Sequence, residues 1–77
     1  MLLQNPELDV AKEHVLALLE PQEVSYSPVE LIRELRQRGV SDSAARDAIW
    51  YLIDRYEIEL AWDRRLRKVY HESTRAG

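Results

Sequence analysis

From the start of the chain, apolar residues fall at Leu8, Ala11, Val15, Leu18 and Leu19. Steps of three and four line one face of a helix. Pro6 keeps the lead-in MLLQNPE from being a deep helix interior. Pro21 closes the segment, because the residue before a proline is pushed out of helical backbone, so the first helix is expected over about 7–20. EVSY at 23–26 alternates polar and apolar and is too short for a helix, which predicts a brief strand. SPVE at 27–30 then starts a second helix. Ser27 is placed to cap the Glu30 amide, Glu30 to reach back, and Pro28 takes the first helical position, where its missing N–H costs nothing. Val29, Leu31, Ile32 and Leu35 give that helix its apolar positions, and Gly39 ends it, with Arg36 and Arg38 near the carbonyl end.

Only Val40 and Ser41 separate Gly39 from the next helix, expected over about 42–55. So short a link turns two helices sharply against each other. Ala45, Ala48, Ile49, Leu52 and Ile53 form the third helix's buried stripe. After it the period drops to two. EIELAW at 57–62 puts Ile58, Leu60 and Trp62 on one face and Glu57 and Glu59 on the other, and RLRKVY at 65–70 follows a polar break at Asp63-Arg64. The pair reads as a hairpin, although Asp-Arg is not a strong two-residue turn. A two-residue turn sets Glu59 opposite Lys68 and Trp62 opposite Arg65, whereas a three-residue turn scrambles that pairing.

Seventy-seven residues are expected to make one domain with a thin core. That length leaves no room for two lobes around a cleft, the usual home of an active site. The absence of cysteine removes disulfides, thiolate ligands and a Cys nucleophile together. No stretch reaches the roughly 18 apolar residues of a membrane span, nor does a basic region precede an apolar run at the amino terminus. A soluble, cytoplasmic protein is the expectation. The net charge of −3 argues mildly against a general polyanion binder.

The order helix, short strand, helix, tight turn, helix, strand, hairpin turn, strand over residues 8–70 resembles the winged helix-turn-helix fold. Four stretches carry the resemblance: SPVELIRELRQRG, the GVS turn, SAARDAIWYLIDR, and EIELAWDRRLRKV as the wing. It implies an α+β domain of three helices and a small antiparallel sheet over 1–77, with its core at about 8–70 and HESTRAG as a frayed tail. Such domains mostly bind duplex DNA, with the third helix in the major groove and the wing tip on phosphates. A minority are protein-interaction modules on the same frame, so the site residues must decide.

With the stripe turned inward, the third helix's outer side carries Ser43, Asp47, Trp50, Tyr51 and Asp54, with Arg46 on a flank. Base edges are read mostly by Arg, Lys, Asn or Gln. This face offers one Arg and sets Asp47 and Asp54 where a phosphate chain would run. Trp50 and Tyr51 have three readings: completing a core without Phe, anchoring a partner chain, or stacking on a base. The wing has the opposite charge, since DRRLRK at 63–68 sums to +3. Arg64, Arg65, Arg67 and Lys68 suit phosphate contact, or else they keep a sheet edge from aggregating. Arg33, Arg36 and Arg38, interleaved with Glu30 and Glu34, read as a solvated helix face.

Other chemistry is sparse. His14 and His71 lack partners at metal-ligand spacing. Glu57 and Glu59 have no enclosing cleft to tune them for acid–base work, and no glycine loop cradles a phosphate. Neither enzyme activity nor a cofactor or metal is expected. Met1 to Leu3, Val10, Leu16 and Ala17 lie off the first helix's main stripe; either Met1 to Leu3 fold back over the core, or the first helix forms a homodimer face. The resulting expectation is a small, dimeric, DNA-binding transcription-regulator-like protein. Wing residues Arg64, Arg65, Arg67 and Lys68 would sit on phosphates, and Ser43 and Arg46 would make base contacts. The alternative is a protein–protein module using Trp50 and Tyr51.

Overall fold

Two serines set the frame of the fold. In the computed structural model, which describes residues 6–21 and 23–69, the Ser27 hydroxyl accepts the Glu30 N–H at 3.1 Å. The Ser27 N–H donates back to the Glu30 carboxylate at 3.1 Å. This reciprocal box, with Pro28 in the first turn, starts helix α2 (Pro28–Gln37). Ser41 alone caps α3 (Asp42–Asp54), accepting the Ala44 N–H at 3.1 Å. Helix α1 spans Pro6–Leu18, stopping short of the expected residue 20, while Leu19 stays fully buried in the turn that follows.

Both α2 and α3 end in the same pair of bonds. At α2, the Gly39 N–H donates to the Arg36 carbonyl and the Val40 N–H to the Leu35 carbonyl, each at 3.0 Å. At α3, Tyr56 donates to Ile53 at 3.0 Å and Glu57 to Leu52 at 2.9 Å. These are Schellman closures, which need one left-handed residue. Gly39 supplies it at φ 86 after α2, and Tyr56, a residue with a Cβ, supplies it at φ 63 after α3.

The core is built from Ala11, Val15 and Leu19, from Leu31, Leu35 and Val40, and from Ala44, Ala45, Ala48, Ile49 and Leu52 of α3. Ile58 and Leu66 close it from below. Small residues on α1 and α3 allow those two helices a close approach, and no polar or charged residue is buried among the described ones. Leu16 packs against this core and leaves Val10 and Ala17 exposed on α1. The expectation for Met1 to Leu3, like those for His71 and the tail, lies outside the described residues.

Strands β1 (Ile58–Leu60) and β2 (Leu66–Lys68) pair antiparallel, with Ile58 opposite Lys68, Glu59 opposite Arg67 and Leu60 opposite Leu66. The two-residue-turn pairing is therefore corrected: Glu59 does not face Lys68, nor Trp62 Arg65. The turn holds three residues, because the Arg64 N–H donates to Ala61 at 2.8 Å and the Ala61 N–H to Arg65 at 2.9 Å. Arg64 takes φ 66, the left-handed position of a three-residue hairpin. Asp63 fastens the turn by accepting the Arg65 N–H at 3.2 Å. Both strands are shorter than expected, and Trp62 sits in the turn rather than on the face it was assigned. The EVSY strand reduces to one bridge, Tyr26 to Leu66, with bonds of 3.2 and 2.7 Å.

Three helices and a two-stranded antiparallel sheet form an α+β arrangement consistent with a winged helix-turn-helix. No helix among the described residues is long and apolar enough to cross a membrane.

Candidate interaction surface on the third helix and the wing

Two of the wing's basic side chains, Arg65 and Arg67, are directed at the protein itself. Arg65 donates through Nε to the Ser25 hydroxyl at 2.8 Å and through Nη2 to the Ser25 carbonyl at 2.9 Å. The same Nη2 reaches the Glu30 carboxylate at 3.2 Å. A planar guanidinium with a fixed fork suits this three-point tie, which holds the wing to the segment before α2. Arg67 grips both oxygens of Asp63, at 3.2 and 2.7 Å, across the turn. That contact holds the Asp63 carboxyl below its ordinary value. Glu30 is likewise lowered, first by the Ser27 N–H and then by Arg65. Arg64 is exposed at the turn, and Lys68 is half-buried on β2.

On α3, Ser43, Arg46, Asp47, Trp50, Tyr51 and Asp54 all face solvent, as the helical spacing predicts. The two aromatic neighbours differ. Tyr51 is 38% exposed and carries Lys12 at 4.1 Å and Arg55 at 5.2 Å from its ring centroid, so it is packed toward α1. Trp50 stands out at 65% exposure. At the helix start, Asp42 receives a two-pronged contact from Arg36 at 3.0 and 2.8 Å, which lowers its pKa. Asp47 and Asp54 have no ion-pair partner among the described residues.

Trp50 separates two hollows. Toward the wing lies an apolar groove of about 130 Å³ between Pro28 and Ile32 of α2, Ile49 and Ile53 of α3, and Leu60 and Leu66 of the sheet, with Arg46 also lining it. That is well below the roughly 300–1,000 Å³ of a small-molecule pocket, so it suits a single apolar side chain. Toward α1 lies an open trough lined by Leu8, Ile53, Trp50, Tyr51, Asp47 and Asp54. The structure thus brings Arg46 and Trp50 together at the groove and leaves Arg64 apart at the wing turn.

Three features escaped the sequence reading. Leu60, opposite the buried Leu66, is 47% exposed and lines the groove rather than the core. Trp62, at 93%, is exposed by the three-residue turn. Asp63 organises that turn, and its spacing to Arg65 and Arg67 was the available signal. No protein-family model matches the chain, and neither curated proteins nor solved structures give a match.

Proposed function

We propose that this chain is a winged-helix-type protein-interaction module whose contact surface is Trp50 with the groove between α3 and the wing. One observation carries the reading: Trp50 is open beside an apolar groove, while Arg65 and Arg67 are held by internal partners. An exposed tryptophan next to a pocket for an apolar side chain has the make-up of a binding hot spot. The duplex-binding regulator implied by the fold resemblance would draw on the exposed Ser43, Arg46 and Arg64. It would also bring Asp47 and Asp54 toward phosphates, an unfavourable approach.

The test compares proteins retained from an extract by the wild-type chain and by Trp50→Ala, with circular dichroism confirming that both fold. The reading expects partners that the substitution releases. Identical retention by the two folded proteins contradicts it.

A further inference from the structure

We infer that the surface around Trp50 receives an amphipathic helix with basic side chains at positions i and i+7 flanking an apolar residue at i+3 or i+4. This rests on the interaction-module reading, extends its surface across Trp50 from the wing groove to the trough toward α1, and gives its partner a chemistry.

Charge and spacing carry it. Asp47 and Asp54 are seven residues apart on α3, two helical turns, which places them about 10.5 Å apart along the axis and nearly on one line. Trp50 lies between them in sequence, and all three line the same trough. Neither carboxylate has an ion-pair partner among the described residues, and, of the carboxylates without one, these two line the trough beside Trp50. Lys12 and Arg55, the cations over Tyr51, line the neighbouring trough with α1 rather than this one.

An aromatic face between two carboxylates, over an apolar floor of Leu8 and Ile53, complements Lys or Arg. Such side chains lay an apolar stem on the floor and present a cation to the ring and the acids. A helix repeats the 10.5 Å spacing at i and i+7 on one face. An extended strand covers about that distance in three residues, which puts the two side chains on opposite faces. The apolar residue between the basic ones then meets Trp50, the arrangement of a helix laid in a groove.

The test uses the Trp62→Phe chain, which leaves Trp50 as its one tryptophan, and two synthetic helical peptides. Both carry Leu at i+3 and i+4; one has Lys at i and i+7, the other Glu. The Lys peptide is expected to bind and move Trp50 emission to the blue, and the Glu peptide to bind at least about tenfold more weakly. Asp47→Asn and Asp54→Asn should each weaken the Lys peptide about two- to fivefold. Trp50→Ala, followed by calorimetry, should weaken it about tenfold or more.

Failure of the Lys peptide to bind overturns the inference, as does binding that Trp50→Ala leaves unchanged. Equal binding of both peptides with Trp50→Ala still damaging overturns the basic-helix partner alone and leaves the interaction module standing. If neither peptide binds, the retention comparison judges the module independently.

Discussion

On the wing, Arg65 and Arg67 direct their guanidinium groups at Ser25, Glu30 and Asp63; on α3, Asp47, Trp50 and Asp54 face solvent, the two acids without ion-pair partners among the described residues. Both regions are polar surfaces with aromatic residues nearby, yet one closes on the protein and the other is left open. The lesson concerns what a local charge count measures. DRRLRK sums to +3, but in space Glu30 lies against Arg65, Glu59 lies opposite Arg67 and Asp63 is gripped by Arg67, so the sum overstates what the wing presents. Charge available to a partner is what remains after internal pairing. By that measure Arg65 and Arg67 brace the wing, and α3 carries the open surface on which the proposed contact would form.

The sharpest way to break this division is to damage each region in turn. Leu66 is fully buried on β2 and carries the bridge to Tyr26, so Leu66→Ala should cost about 2–5 kcal/mol in urea unfolding. In a domain whose total stability is of order 5–15 kcal/mol, that approaches global unfolding. Trp50→Ala should cost less than about 1 kcal/mol, because the ring is mostly in water. Equal losses would erase the distinction.

Next in size is Arg65→Lys. A phosphate contact tolerates that exchange far better than a three-point tie does. The tie predicts a loss of about 1 kcal/mol, held to that level because the Arg65 side chain is 38% exposed. No measurable loss would free Arg65 for a ligand.

Smaller effects come from the left-handed positions that end the two helices and close the hairpin. Tyr56→Gly and Arg64→Gly should each stabilise by about 0.5–1 kcal/mol, because both residues hold left-handed backbone that costs a side chain about 1–2 kcal/mol. Gly39→Ala should lose about 1 kcal/mol although nothing lies within 4 Å of the added Cβ, so the cost is one of backbone alone.

The least effect is on the acid limb. Glu30, Asp42 and Asp63 titrate lower in the folded chain than their ordinary values of 4.5, 3.8 and 3.8. The unfolded chain therefore binds more protons as pH falls through this range. The stability these groups contribute is present above about pH 4.5 and is lost as pH falls through their folded values. Asp63→Asn should flatten that part of the stability–pH curve, and an unchanged slope would count against the Arg67 pairing.

Where a feature depends on residues close in sequence, it was legible. The Ser27–Glu30 box, Gly39 as a terminator, and the outward set on α3 follow from spacing and local chemistry. The hairpin register was not, because it depends on Arg64 accepting left-handed backbone that its side chain disfavours. Nor was the role of Arg65, whose partner Ser25 lies forty residues away. Trp50 and Tyr51 could not be told apart in sequence, since adjacent helical residues diverge by only 100° and the position of α1 decides which one is covered. The trough beside Trp50 was half legible: both carboxylates were seen on the outer face, and what was missing was the floor that Leu8 supplies from α1.

The most direct test of the central claim is fluorescence anisotropy of a labelled random duplex titrated with the protein at about 50 mM and about 200 mM salt. Phosphate-driven binding weakens by orders of magnitude over that range. A wing that braces the fold and an α3 face built for protein predict no binding at either salt. Binding at the lower salt that collapses at the higher, and that Arg46→Glu with Arg64→Glu abolishes, would contradict the account and favour duplex binding through these cations instead.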